Sequence, residues 1–364
     1  MAKCKLDELC EFITDGTHQT PEYCAEGGII FLSSKDVTER KINWDDVKYI
    51  PNSLHEKLYK RLSPRINDIL LAKNGTTGVA AIVDKDEVFD VYVSLAVLRP
   101  LDTIYPKYLL YAINSPVAKR QFNAGLKGVG VPNLHLGVIR ETVVNVAPRK
   151  EQEKICEILD KVAILIDERK TELELLDDLI KARFVEILKV SELSDEITIE
   201  AITERVKVGF VGTCEKYYTD DSGIPMLRTG NITEKGINIK DLKYVTPEFH
   251  EKNKKSQIHS GDLLIARHGS NGQANVYSGP DAQCLNAVVI VPNRAKARSV
   301  FLAGLINSPM VKKQIDKTLV GSTQHVVNTK SIANLVVRIP DLDVQQQYEE
   351  FVNQVDKSKF VGIK

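Results

Sequence analysis

The sequence predicts an α/β protein of the α+β kind: two similar mixed α/β domains with twisted, mostly antiparallel sheets, a long coiled-coil helix between them and a second, shorter helix at the C-terminus. Three observations carry this. The chain of 364 residues repeats itself at an offset of about 193 to 195, so that Ile113-Asn114-Ser115-Pro116 returns as Ile306-Asn307-Ser308-Pro309 and His55-Glu56-Lys57 as His250-Glu251-Lys252. Residues 151–189 contain neither Gly nor Pro and carry apolar residues at alternating steps of four and three. Elsewhere, short β-rich runs alternate with Gly-rich turns. A repeat this long can bury its own core, unlike the units of about 20 to 50 residues that stack in solenoids. The length suits two domains with a connector.

Residues 1–149 form the first domain. The small-residue loop Asp15-Gly16-Thr17-His18-Gln19-Thr20-Pro21 precedes the β-rich run Gly27-Gly28-Ile29-Ile30-Phe31-Leu32. Ile69-Leu70-Leu71-Ala72 signals a further strand and leads into a Gly-rich loop, from which Gly78-Val79-Ala80-Ala81-Ile82-Val83 departs. Residues 106–122 suit short helices broken near Asn114-Ser115-Pro116, because proline and the residue before it resist helical continuation. The second domain, residues 191–340, repeats this order with the loop Gly209-Phe210-Val211-Gly212-Thr213, the run Gly223-Ile224-Pro225-Met226-Leu227, the strand signal Leu263-Leu264-Ile265-Ala266 and helices within 299–315.

Residues 150–190 read as a coiled-coil spacer. Ile155, Leu159, Val162, Ile166, Leu173, Leu176, Ile180 and Ile187 form the seam, with Arg169 and Arg183 at its two interrupted positions. At 1.5 Å per residue, 151–189 would rise roughly 58 Å. Its outer positions are rich in carboxylates, among them Glu168, Glu172, Glu174, Asp177 and Asp178, which would keep it away from phosphates. A core helix of a larger domain is the alternative, and the narrow seam argues against it. The pattern restarts in 341–364, where Gln345, Tyr348, Phe351, Val352 and Val355 align with Gln152, Ile155, Ile158, Leu159 and Val162, and this copy is short.

The net charge of zero conceals an uneven distribution. Basic against acidic residues number 19 to 18 in 1–149, 8 to 13 in 150–195, 19 to 13 in 196–340 and 3 to 5 in 341–364. A polyanion would be drawn to the second repeat and repelled by the connector, although chance asymmetry of a solvated surface would give the same count. No apolar run is long enough to span a membrane, and no secretory leader opens the chain, so a cytoplasmic protein is expected. The six cysteines lack metal-site spacing and read as free thiols.

Three pairs of polar loops are candidate contacts to nucleic acid. The first pair supplies Thr17, His18 and Gln19, and Thr213. The second is Lys73-Asn74-Gly75-Thr76-Thr77-Gly78 with Arg267-His268-Gly269-Ser270-Asn271-Gly272. The third offers Lys127, Asn133 and His135 in one copy and Gln324, His325, Asn328 and Lys330 in the other, with Asn133 expected to correspond to Asn328. Glycines let the backbone approach a partner, and the intervening donors suit phosphates and base edges. Ordinary hairpin loops use the same residues, and structural duplicates that drifted apart would differ in the same way. A framework that repeats while its polar side chains change nevertheless fits two readers on one scaffold. Catalysis has little support: no phosphate-binding Gly-x-x-x-x-Gly-Lys loop, Gly-x-Ser-x-Gly elbow or His-Glu-x-x-His is present, and Asn114-Ser115-Pro116-Val117 does not supply an amino-methyltransferase motif.

The phrases Asp15 to Pro21 quoted above, Ile30-Phe31-Leu32-Ser33, Asp68-Ile69-Leu70-Leu71, Asn114-Ser115-Pro116 and the 148–160 entry into the heptad helix resemble the specificity subunit of type I restriction-modification enzymes over nearly the whole chain. The resemblance implies two target-recognition domains, each reading one half of a split site in double-stranded DNA, joined by helices that fix the spacing. It also implies docking of two methyltransferase subunits and of restriction and translocation subunits. S-adenosylmethionine, ATP and Mg would be bound by those partners, leaving this chain non-catalytic and without a cofactor. Adenine as the flipped and methylated base comes from the resemblance only. In that family the distal helix pairs antiparallel with the central one. Here its shortness leads to the expectation that the seam is unpaired around 173–187 and covered there by partner subunits or by self-association with a second copy. A scaffold whose repeats bind protein is the alternative, and a self-sufficient modifying enzyme a third reading.

Overall fold

The computed structural model describes residues 1–24, 27–126, 132–233, 236–267, 272–319 and 326–360. Two compact units, Met1–Glu168 and Arg169–Lys364, divide the chain. The 42-residue helix Arg149–Val190 contributes its beginning to the first and its remainder to the second. Its run of Leu, Ile, Lys, Glu and Arg without a breaker favours one uninterrupted helix. Among the described residues no helix is long and apolar enough to cross a membrane. All six cysteines are free.

In the first unit, the strands Cys10–Asp15, Leu95–Pro100, Ile69–Ala72 and Ala80–Ile82 lie side by side in that order, all antiparallel. Every side chain of Ile69–Ala72 is buried, because the sheet is covered on both faces. Ile69, Leu71, Ala96 and Leu98 point into a core with the helices Pro106–Ile113 and Pro116–Ala124. Leu70, Ala72, Leu95 and Val97 point the other way, towards Leu32, Phe89 and Val91 of a second, three-stranded sheet. Alternation of side chains along a strand divides one apolar run between two cores, and each fully buried Leu or Ile contributes about 1.5–3 kcal/mol. In the second sheet Ile29–Leu32 pairs antiparallel with Lys48–Ile50 and parallel with Phe89–Val91. That parallel pair is the exception to the antiparallel pattern.

The second unit repeats the plan. Thr203–Val208, Ala287–Pro292, Leu263–Ala266 and Ala274–Val276 form the antiparallel sheet, with Leu263 and Ile265 on one face and Leu264 and Ala266 on the other. Ile224–Arg228 pairs parallel with Ala282–Leu285, matching the exception in the first unit.

The duplicated Ile-Asn-Ser-Pro phrase now has a physical account. Ile113 and Ile306 are fully buried. The amide of Asn114 accepts from the Ala80 N–H at 3.1 Å and donates to the Ala80 carbonyl at 2.9 Å, and Asn307 does the same to Ala274 at 2.8 Å each. Each amide thus satisfies the free edge of the last strand of its sheet. Ser115 and Ser308 then cap helices that begin with Pro116 and Pro309. Gln152 and Gln345 are a second such pair. Gln152 accepts from Tyr105 N–H at 2.7 Å and donates to the Ala147 carbonyl, while Gln345 accepts from Arg298 N–H at 2.9 Å and donates to the Pro340 carbonyl. These buried amides tie the first turn of the central and distal helices to their own repeats.

The seam differs from expectation in where it is covered. The distal helix Leu342–Phe360 lies against 169–187, where Phe184 meets Tyr348 edge-on and Phe301 at a tilt, each with ring centroids 5.2 Å apart, and Lys359 pairs with Asp177 at 2.6 Å. Arg169 fills its seam position by donating to the carbonyls of Ser358 and Lys359, which a helix C-terminus leaves unpaired. Leu173, Leu176 and Ile180 are half-buried and Ile187 is buried, so the expectation of an unpaired end at 173–187 is corrected. The reason is topological: a helix leaving the second repeat antiparallel begins beside the end of the central helix, not its start. Ile155 and Leu159 are half-buried in the first unit, whereas Val162 and Ile166 are exposed, as are Ile158, Ile164 and Leu165.

Candidate nucleic-acid interface

In the first unit the loop after Cys10–Asp15 runs directly against the parallel strand pair. Thr17 donates its N–H to the Val91 carbonyl at 3.1 Å and accepts from the Val93 N–H at 2.9 Å. The approach requires Gly16, since a Cβ there would stand 1.9 Å from the Val91 carbonyl oxygen. Thr17 is half-buried, and His18 and Gln19 are exposed. Beside them Thr20 and Tyr92 place their hydroxyls 3.4 Å apart, with Tyr92 and Tyr23 flanking Phe31 and the Lys48 ammonium 4.1 Å from the Tyr23 ring. This aromatic and basic margin was not among the residues singled out from sequence. Lone tyrosines spaced over 70 positions carry no local signal.

Lys73 takes a different place from that of an exposed donor. Its side chain is 7% exposed and its ammonium lies 2.5 Å from a carboxylate oxygen of Asp15, itself buried. The other oxygen of Asp15 lies 3.3 Å from Nε2 of His18, whose side chain is 74% exposed. A buried cation therefore holds a carboxylate that in turn orients a surface imidazole. Arg61 fastens the same turn by donating to the Asp15 carbonyl at 2.8 Å. The rest of the Gly-rich loop faces solvent, with Thr76 exposed and Thr77 half-buried, yet both hydroxyls bond within the first unit. Thr76 donates to the carbonyls of Ser34 and Val37, and Thr77 bonds within the loop, leaving Asn74 as its half-buried amide. Gly75 and Gly78 have φ of +70° and +81°, which makes this turn tight.

The second unit builds the same edge from other side chains. Phe210 replaces Thr17 in the backbone pairing, donating to the Cys284 carbonyl at 2.7 Å, and Leu285 stands where Tyr92 stood. Gly209 serves as Gly16 does, with a Cβ 2.4 Å from the Cys284 carbonyl. Val208 occupies the register position of Asp15, so Arg267 has no carboxylate there. It donates instead to the Asn286 side chain at 2.8 Å and to the Val327 carbonyl at 3.3 Å. Thr213 is exposed at the end of this loop.

The third pair of loops needs a one-step correction of alignment. Leu134 N–H donates to the Lys73 carbonyl and Val327 N–H to that of Arg267, so Leu134 matches Val327 and His135 matches Asn328. Asn133 does not correspond to Asn328. Asn328 caps the helix Thr329–Ala333 by accepting from Ser331 N–H, and His135 stands exposed at the start of Leu136–Glu141. Lys330 is exposed and Asn133 half-buried. Lys127, His268, Ser270, Asn271, Gln324 and His325 lie outside the described residues.

The duplicated histidines serve the interior. His55 Nδ1 lies 2.7 Å from the buried carboxylate of Asp90, and burial pushes that carboxyl up while the imidazole pulls it down. In the second copy, Gln283, fully buried, donates to His250 Nδ1 at 3.1 Å and accepts from Ser256 at 2.6 Å. One repeat keeps a buried acid beneath its histidine and the other a neutral amide.

A sequence model of the type I restriction modification DNA specificity domain matches residues 1–176 and again 189–361. The chain is 20% identical over 336 residues to the MjaVIII specificity subunit of Methanocaldococcus jannaschii, covering 85% of this chain and 78% of that protein. It is 20% identical over 263 residues to the EcoBI specificity subunit of Escherichia coli, covering 64% and 55%. Among solved structures, the type I restriction-modification S subunit from M. genitalium matches with a TM-score of 0.57 at 14% identity, over 98% of this chain and 90% of that one. A chain from a type I system studied for complex assembly and conformational transition gives 0.54. At such identity the structural likeness is one of fold.

Proposed function

The chain belongs to the type I restriction-modification DNA specificity family, and from that premise we propose that each repeat reads one half of a split duplex site while the central and distal helices fix the spacing and dock two methyltransferase subunits. One observation carries the reading. The same loop edge is built twice on the same backbone pairing, with Thr17, Tyr92, Lys73 and His135 in one copy and Phe210, Leu285, Arg267 and Asn328 in the other. A framework that recurs while its edge chemistry changes supports two different half-sites. In this reading backbone contacts position each repeat, and exposed side chains such as His18, Gln19 and Asn328 read base edges. The chain itself performs no chemistry. Binding of S-adenosylmethionine, ATP and Mg, and methylation of a flipped base, belong to its methyltransferase, restriction and translocation partners.

Mapping methylated bases in a host genome with and without this chain tests the proposal. A bipartite motif should disappear when the chain is absent. Unchanged methylation, or methyl transfer by the purified chain without partners, would contradict it.

A further inference from the structure

The charge excess of the second repeat has a location. The edge strand Thr203–Val208 carries Arg205 and Lys207, and the one-turn helix Lys254–Ser256, packed against that strand, carries exposed Lys254 and Lys255. Lys207 donates to the carbonyl of Gln257, the residue that follows this turn, at 2.5 Å, which leaves two N–H groups of its ammonium unengaged among the described residues. Burial, and then the neighbouring Arg205 guanidinium, hold the Lys207 ammonium below its ordinary value, with Asp262 and Cys284 acting in the opposite direction. Asp262 is buried and engaged with the His259 N–H at 2.9 Å. In the first repeat the two strand positions carry no charge: by register Phe12 and Thr14 stand at the positions of Arg205 and Lys207. At an offset of 195, Tyr59 and Lys60 match Lys254 and Lys255. The strand ends at Val208, and the candidate loop begins at Gly209.

We propose that Arg205, Lys207, Lys254 and Lys255 form a ridge that grips DNA phosphates beside the reading loop of the second repeat, so that this repeat holds the backbone more strongly than the first. The assignment rests on the reading of the chain as a DNA-recognition subunit. Four cations gathered on one strand and its neighbouring turn, one of them half-buried beside a like charge, are relieved when anions arrive. Phosphates supply such anions without sequence preference.

The test is the salt dependence of duplex binding by the full chain assembled with its methyltransferase subunits. Lys254→Gln/Lys255→Gln changes two exposed side chains, and Arg205→Gln serves as an independent variant. Each lost phosphate contact lowers the slope of log affinity against log salt by about 0.9. The double variant should therefore lose about 1.8 in slope, and a fourfold rise in salt should weaken it about tenfold less than wild type. The methylated motif should stay unchanged. A wild-type slope in the ridge variants, even with increased aggregation, overturns the ridge and points to edge-strand protection. An altered motif overturns it in favour of base contacts. Salt-independent binding by wild type would instead overturn the DNA-recognition reading and the ridge with it.

Discussion

Replacing Lys73 by methionine should destabilise the first unit by about 3 kcal/mol, the lower end of the range for breaking a buried ion pair by removing one partner. The magnitude follows from what remains. Asp15 would keep its carboxylate at 7% exposure with only the solvent-facing His18 near one oxygen, while Arg61 reaches the backbone carbonyl and not the carboxylate. Asp15→Val should cost a similar amount by stranding the ammonium. The double variant Asp15→Val/Lys73→Met should cost less than either single change, because the second repeat already tolerates Val208 at that register position. Hydrogen exchange of the amides in Ile69–Ala72 and Leu95–Pro100, followed in the full chain, reports the first unit separately. Additive penalties, or a Lys73→Met chain of wild-type stability with weakened DNA binding, would refute the internal role and return Lys73 to the surface contacts.

His55→Phe should cost about 1–3 kcal/mol at neutral pH by leaving the Asp90 carboxylate buried without its partner. A carboxyl with a raised folded-state value contributes stability that is complete below its unfolded value and lost as pH rises through the folded one. The penalty should therefore fade below the ordinary carboxylate range and grow above it, and denaturation at several pH values checks this. Phe184→Ala removes the ring shared by Phe301 and Tyr348 and should lower the stability of the second unit by about 3–5 kcal/mol, measured by exchange of its amides. Gly16→Ala and Gly209→Ala force a Cβ onto a backbone carbonyl, so each should impair recognition of a different half-site in methylation mapping, with the other half retained.

The repeat, the long helix and the mostly antiparallel sheets were legible because they rest on patterns local enough to count: letters at a fixed offset, a seven-residue period, four apolar residues before a glycine loop. What the repeated letters do was not. Asn114 and Asn307 stand out in the sequence, but their partners Ala80 and Ala274 lie over 30 residues away. Lys73 in a Gly-rich loop looks like a solvent-facing donor, and only the fold brings Asp15 to it across 58 residues. Matching Asn133 to Asn328 by identity failed because the helix start sets the register, and a histidine holds that place in the first copy. The covered half of the seam was misplaced because a heptad pattern states which face is apolar, not which end meets the returning helix. Segment charges showed an excess in 196–340, while the cluster that locates much of it joins positions 50 apart.

Exchange of residues 1–149 for the corresponding segment of another family member, followed by genome-wide mapping of methylated bases, tests the modular account most directly. One half of the bipartite motif should change, while the other half and the distance between them stay as they were. A motif altered in both halves would contradict two independent readers on one chain.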